Sequence, residues 1–284
     1  MLGLSTSYFG FQGKPIYDSV KAVFGLGFGT AELGAGHAFE KNVWETIKKV
    51  KQDFPEKNYT VHGLFPPLEK RTWFNASLGL TKQNKAIADS LFAAAQIVEA
   101  KVVGIHPGFR KQVEWKESPR GMCYPVPKEE IPLEKAWSNL FELIQYCLNL
   151  AEETGCLFAI ENTTDHAVKS LVFSEQDFEK VFQKFPKLGL LLDIGHAMYM
   201  GRLEGFLQDF SKRIQEIHLH LSRVRQVPDK GDEHRPITLL EELKPLSKIR
   251  QFRQIPVIFE HGTNVSNEQI LAEKKIVEGF ERIF

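Results

Sequence analysis

Six short apolar runs along this chain each run into a histidine or a carboxylate: TVHG, VVGIHPG, FAIEN, LLLDIGH, IQEIHLH and VIFEHG. A strand core has little use for such groups, because a carboxylate taken out of water costs several kcal/mol unless it is paired or bound to a cation. A fold that brings the ends of separate strands to one place gives them a common purpose. The residues at these ends are His62, His106, Glu161, Asp193, His196, His218 and Glu260, and a polar loop adds Asp232 and His234. Imidazole and carboxylate are the donors that borderline divalent metals prefer, zinc above all.

The spacing of the runs predicts the fold. β-rich segments at 2–5, 29–33, 59–63, 102–106, 157–162, 188–193, 214–220 and 256–261 alternate with stretches of helical period. The latter lie at 43–54, 84–100, 131–154, 174–185, 203–212, 237–247 and 267–284. Segment 84–100 is rich in alanine, keeps its apolar residues at helical spacing and leads straight into a strand. Gly155 stands where the helix over 131–154 needs a C-cap. Strands alternating with helices imply parallel pairing, and eight such units imply a closed α/β barrel, the (β/α)₈ or TIM barrel, as a single domain over 1–284. An open doubly wound sheet is the alternative. Gly25-Leu26-Gly27-Phe28-Gly29 lacks the GxGxxG spacing that would support it and precedes a strand. Two irregular stretches, 109–132 and 222–236, follow the fourth and seventh strands and read as long loops at the rim where barrels carry their chemistry.

Each candidate has a plainer reading. His62, before Gly63, reads equally well as a structural histidine, whereas His106 stands before Pro107-Gly108, where the chain leaves its strand and the ring can turn inward. Glu161, Asp193 and Glu260 are harder to dismiss. Three carboxylates at the ends of three apolar strands repel one another, and divalent cations are the ordinary remedy. His218 and His220 are two apart and face the same side of a strand. His218 is the favoured ligand, and His220 a neighbour of the ligands or part of a substrate pocket. Asp232 and His234 form a local clamp. His37 and His166 read as loop residues, and His261 as a neighbour of the ligands.

The totals exclude several classes. The formal charge is zero, so no global field recruits nucleic acid or an anionic surface. The three cysteines, Cys123, Cys147 and Cys156, have no metal-ligand spacing, and their odd number argues against a disulfide framework. The N-terminus has no basic segment followed by a long apolar one, and no apolar run is long enough to span a bilayer. A cytoplasmic monomer without a membrane partner is the expectation.

In order and type, His, His, Glu, Asp-x-x-His, His, Asp-x-His, Glu, the ligand set resembles the endonuclease IV family of apurinic/apyrimidinic endonucleases, within the wider group of xylose-isomerase-like barrels. IHPG, IEN, the Asp-x-x-His of LLDIGH and the IHL of EIHLHLS carry the likeness, from His62 to Glu260. The resemblance implies about three zinc ions, with manganese as the substitute. His62, His106 and Glu161 would hold one ion. Glu161, Asp193, His218 and Glu260 would hold a second, with Glu161 bridging, and His196, Asp232 and His234 a third. It further implies hydrolysis of the DNA backbone at abasic sites by a metal-bound hydroxide, the third metal stabilising the departing oxygen. Departures are visible. His220-Leu221 replaces the usual Asn-Asp, Arg235-Pro236-Ile237 replaces a Gly-rich segment, and Leu64-Phe65-Pro66-Pro67 differs from the loop that enters damaged DNA.

Two functions compete. For a phosphodiesterase on abasic-site DNA, the loops offer a basic rim of Arg110, Lys111, Lys116, Arg120, Arg223, Arg225 and Lys230, with Phe109, Trp115 and Tyr124 interleaved and Glu114, Glu117, Glu129 and Glu130 diluting it. Phe65 is the candidate wedge, and Phe65, His220, Arg110 and Arg223 are the candidate substrate-binding residues. A divalent-metal sugar isomerase or epimerase needs about one metal on a set such as Glu161, Asp193, His218 and Glu260, with Glu161 and Glu260 as catalytic acid and base. It has no evident use for His62, His106, His196, Asp232 and His234, and those five favour the hydrolase. A binding module on a relic barrel is the third reading; unused carboxylates in its mouth would only cost stability.

Overall fold

The computed structural model describes residues 1–70, 74–117, 123–164, 169–226 and 231–283, with the side chains of 115–117 and 123–125 left aside. Eight parallel strands close into a barrel: β1 (Leu2–Ser5), β2 (Thr30–Leu33), β3 (Asn58–His62), β4 (Val102–Ile105), β7 (Leu157–Glu161), β8 (Gly189–Asp193), β9 (Ile214–Leu219) and β10 (Val257–Phe259). Between β4 and β7 the chain makes an antiparallel ribbon of β5 (Lys111–Glu117) and β6 (Cys123–Glu130). The helices are α1 (Ser7–Gly10), α2 (Ile16–Gly25), α3 (Val43–Asp53), α4 (Lys82–Val98), α5 (Leu133–Thr154), α6 (Glu175–Lys184), α7 (Ile194–Tyr199), α8 (Leu203–Phe210) and α9 (Asn267–Ile283). No helix among the described residues is long and apolar enough to cross a membrane.

Local chemistry sets the helix ends. Thr81 caps α4 by accepting from the Asn84 amide, Ser174 and Asp177 form a reciprocal capping box at α6, and Gly155 closes α5 in the left-handed region at φ 73°. Ile16, Val20, Val23 and Phe24 give α2 a buried face at helical spacing, although the strand-and-helix reading of the sequence had passed over this segment.

Two expectations are corrected. Within the stretch 109–132, read from the sequence as an irregular loop, Lys111–Glu117 and Cys123–Glu130 pair as an antiparallel ribbon. Its prolines, Pro125 and Pro127, pair with Trp115 and Val113 in a two-stranded element, where free edges tolerate a missing N–H donor. Segment 237–247 is 3₁₀ over Leu240–Lys248, with Pro245 inside it. His37 is also more than a loop residue. It is buried, and its ring nitrogens meet the Thr6 hydroxyl and the Lys14 carbonyl at 3.1 and 3.3 Å.

The strand period of two divides the core. Ala31, Leu33, Tyr59, Val61, Phe158, Ile160, Leu190, Leu192, Ile217, Leu219, Val257 and Phe259 belong to the main apolar cluster between barrel and helices. The alternate positions line the inside. At one level these are Val102, Ala159 and Leu191, which form a small separate apolar cluster. Thr30, Glu32, Thr60, His62, Glu161, Asp193, Glu216 and His218 share the inward parity and are buried polar groups. The barrel is therefore apolar outside and, toward the C-terminal ends of its strands, polar and charged within. Gly104 makes room: a Cβ there would lie 2.5 Å from Leu191 Cδ1 and 3.0 Å from His62 Cδ2.

The chain leaving β4 is pinned by Asn75. Its side-chain amide donates to the Phe109 carbonyl at 2.9 Å, and its carbonyl accepts from Phe109 N at 2.8 Å and Ser77 N at 3.1 Å. Replacing Asn75 with Ala orphans buried backbone groups on both sides, at about 1–3 kcal/mol each. Urea unfolding of Asn75→Ala is expected to show a loss of about 2–4 kcal/mol; a change within 0.5 kcal/mol of zero, about the scatter of a neutral surface substitution, would mean the clamp is dispensable.

Candidate metal centre

Strand register carries the ligands to one level. His62 ends β3, Glu161 ends β7, Asp193 ends β8 and pairs with His218 of β9, while His106 and Glu260 directly follow β4 and β10. The Asp-x-x-His spacing has a local cause. Asp193 is the N-cap of α7 and accepts from the His196 amide at 2.6 Å, so the turn that starts the helix sets both side chains on one side. Asn162 then brackets the pair. Its amide donates to Asp193 O and its carbonyl accepts from Asp193 N, both at 2.8 Å, and its main-chain oxygen meets His196 Nδ1 at 3.0 Å. That contact leaves His196 Nε2 as the free donor atom. His234, at φ +45° in the returning loop, uses Nδ1 in the same way against Glu260 O at 3.0 Å.

All nine sequence-predicted ligands converge. One group joins His62, His106 and Glu161; a second joins Glu161, Asp193, His218 and Glu260; a third joins His196, His220, Asp232 and His234; in each, the donor atoms lie within 4.8 Å of one another. Glu161, only 1% exposed, serves the first two groups: its Oε2 lies 2.8 Å from His62 Nε2 and 3.1 Å from His106 Nε2. His220 enters the third group, where the sequence reading had put it near the ligands or in a substrate pocket.

The residues fit divalent cations on a direct observation. His62 Nε2, Glu161 Oε2, His218 Nδ1 and Asp232 Oδ2 are buried side-chain atoms without an aligned hydrogen-bond partner. Buried donors and acceptors in native proteins are nearly always satisfied, and these four atoms belong to residues of the ligand groups.

Electrostatics bind the groups together even without metal. Burial acts to raise the Glu161 carboxyl, but the neighbouring imidazoles of His106, His62 and His196 hold it well below the ordinary carboxylate range. Burial likewise acts against Glu260, and the His218 imidazole outweighs it and lowers the carboxyl. For His196, burial opposes the charge, yet Asp193, Glu161 and Asp232 push it up to about 10.

Two carboxylates escaped the sequence reading. Glu32 on β2 and Glu216 on β9 are completely buried inside the barrel. Glu32 Oε2 accepts from His218 Nε2 at 2.7 Å, which fixes the ring and leaves Nδ1 facing Glu260 at 3.2 Å. Burial and the neighbouring Glu32 push the Glu216 carboxyl up to about 8. A signal was available: in TAEL and IQEIHL each Glu has the same parity as a polar or ligating neighbour two residues away.

The remaining candidates sit farther out. Phe65 is packed in the core at 1% exposure, so it does not project as a wedge. Arg110 is paired with Glu130, and Arg223 lies 3.6 Å from Glu233. His261 contacts Glu273 at 2.5 Å and the His234 carbonyl at 3.3 Å, a neighbour of the ligands as expected. Trp115, Lys116, Arg120, Tyr124, His166 and Lys230 fall outside the described residues and side chains.

The fold and site define a class: a closed eight-stranded parallel barrel whose C-terminal mouth gathers histidines and carboxylates that could hold metal ions. More narrowly, the chain belongs to the xylose isomerase-like TIM barrel family (AP endonuclease family 2), whose profile matches residues 20–264. Among solved structures it is similar to the IOLI protein with a binding zinc atom, at 17% identity and TM-score 0.70 over 100% of this chain and 99% of that one. D-Psicose 3-epimerase with D-tagatose from Clostridium cellulolyticum H10 is similar at 14% identity and TM-score 0.68, over 99% and 98%. AP endonuclease, family 2, from Brucella melitensis is similar at 13% identity and TM-score 0.67, over 95% and 96%. At such identities the likeness speaks for the fold. No curated protein matches the chain.

Two outcomes are expected. Because the His196 pKa is raised to about 10, its charge stabilises the metal-free fold fully below the unfolded value of about 6.5, and this is lost as pH rises through 10. A cation at Nε2 must displace that proton, so zinc binding should release protons at pH 7 and tighten toward higher pH. Calorimetric titration in buffers of different ionisation enthalpy reads the release directly, and its absence would contradict the ligand assignment. Separately, Glu32→Gln removes the charge orienting His218 and should weaken metal binding about 10–100-fold in competition with a chelator; unchanged affinity would leave Glu32 with no role at the centre.

Proposed function

We propose that this chain is a multinuclear divalent-metal hydrolase of phosphodiesters, with about three zinc ions, manganese as the substitute, and the DNA backbone at an abasic site as its substrate. One observation supports this above the rest: among the described residues the donors fall into four partly overlapping groups of three or four, the fourth being Glu32, His62 and His218, and together they are far more than a single ion can use. His62, His106 and Glu161 would hold one ion, Glu161, Asp193, His218 and Glu260 another, and His196, Asp232 and His234 a third. Closely spaced divalent ions supply water activation near neutral pH and neutralise the charge that develops as a phosphodiester is displaced.

The chain's own groups do the placing. Glu161 ties the first two groups together, Glu32 orients His218, and Asn162 holds Asp193 and His196. The His106 and Glu260 side chains, 41% and 25% exposed, mark the side from which substrate arrives. No thiol competes as nucleophile in the described centre. Cys147 is buried in α5, where burial pushes its pKa far up. The ligand pattern, and not charge, supports this substrate, because Arg110 and Arg223 already face carboxylates.

A second reading rests on one group alone. Glu161, Asp193, His218 and Glu260 suffice for one metal flanked by two carboxylates, as a sugar isomerase or epimerase needs, and proteins named as epimerases share the fold.

Offering an abasic-site duplex and a panel of ketoses to one preparation, with a chelator control, separates the two. The expected outcome is chelator-sensitive strand cleavage, about three ions per chain by elemental analysis, and loss of turnover in Glu161→Gln with the fold retained. Epimerised ketose with a single ion per chain would establish the second reading instead.

A further inference from the structure

We infer that Glu273, on the last helix, is a positioning residue of the metal centre: through His261 it sets the loop ligand His234 against the strand-end ligand Glu260. The inference rests on the metal-centre reading above and deepens it. Glu273 stands in the buried stripe of α9, between Ile270 and Val277 at helical spacing. It is completely buried, and a carboxylate in such a stripe is costly unless it is partnered. Both of its oxygens are in use, one after β10 and one on the returning loop. Oε2 meets His261 Nε2 at 2.5 Å, and Oε1 accepts from the Ile237 amide at 2.9 Å.

His261 carries the constraint onward. It is buried, and its Nδ1 donates to the His234 carbonyl at 3.3 Å. The His234 ring answers from the other side, its Nδ1 donating to the Glu260 carbonyl at 3.0 Å. Residues 234 and 260–261 are therefore laced crosswise, each histidine holding the main chain of the other segment. His234 needs that hold, because a non-glycine residue at φ +45° persists only where its surroundings over-determine it. The lacing leaves His234 Nε2 toward Asp232 Oδ2 at 3.5 Å and the Glu260 carboxylate toward His218 Nδ1 at 3.2 Å. One buried acid, on a helix that supplies none of the nine ligands, thus fixes how the second and third groups stand to each other. The plainer role is a staple that holds α9 to the barrel and leaves the ligands indifferent to it. A buried carboxylate–imidazole contact is a poor source of stability next to apolar residues of like size, which favours positioning.

Zinc affinity, read by competition with a chelator, tests this in a double-mutant cycle. The background is Glu161→Gln, which weakens the two groups sharing that carboxylate and leaves the third to be read alone. There Glu273→Leu and His234→Asn should each weaken zinc at least about 10-fold. Both together should be weaker than His234→Asn alone by no more than about 2-fold, because Glu273 acts through that ligand. Glu273→Gln keeps an acceptor for the Ile237 amide and a donor for the ring, and should stay within about 3-fold of the background. A staple would instead lower the melting temperature and leave the zinc affinity of the folded protein unchanged. Unchanged affinity in folded Glu273→Leu, losses that add in the double variant, or a Glu273→Gln as weak as Glu273→Leu overturns the inference. If Glu273→Leu does not fold by circular dichroism, the cycle is run with His261→Gln on the same criteria. A background that binds no zinc also overturns the inference, and wild-type protein that binds none removes the metal-centre reading with it. No measurement involves turnover, so failure of the hydrolase reading leaves this result standing.

Discussion

Buried negative charge is the constraint from which the rest of this molecule follows. Glu32, Glu161, Asp193 and Glu216 lie inside one barrel with almost no exposure. Carboxylates this close are mutually repulsive and poorly solvated, and removing one partner from such an arrangement typically costs about 3–5 kcal/mol. The barrel answers with imidazoles: His62, His196, His218 and His220 each face one of these carboxylates at 2.7–3.2 Å. The histidines that neutralise this interior are the same ones that could offer lone pairs to cations. Holding the barrel interior together and binding a cation would be two uses of one set of contacts, separated by the protons on the imidazoles.

That duality explains what was legible in the sequence and what was not. The ligands at strand ends stood out because a His, Asp or Glu after three or four apolar residues breaks the pattern where the chain turns. The eight barrel strands were legible for the same reason, since strands packed against helices read as short apolar runs. Glu32 and Glu216 were hidden because each sits within its strand, flanked by apolar residues that face outward to the helices. Only the parity of Thr30 with Glu32, and of Glu216 with His218, betrays the polar inner face. The ribbon at 111–130 was hidden by its prolines, which local rules assign to loops and which a two-stranded element with free edges accommodates. Phe65 looked like a wedge because it follows the first ligand histidine, but neighbouring core residues bury it, and no rule of spacing reveals that.

The centre is unevenly preorganised, and the reason is again local. Asp193 and His196 are fixed three times over: by strand pairing of β8, by the first turn of α7 and by Asn162 from the neighbouring strand end. Glu161 and His218 are held by their strands, and His218 additionally by Glu32. Asp232 and His234 depend instead on a loop tied back by the Leu221–Arg235 bridge, by Glu233 N on Ser222 Oγ at 3.3 Å, and by the His234 contact to Glu260 O. How each donor is held thus follows from where it sits in the fold: Glu161, Asp193 and His218 are set by strand pairing, His106 and Glu260 stand partly exposed just past their strands, and Asp232 and His234 reach in from the segment that returns to Leu221.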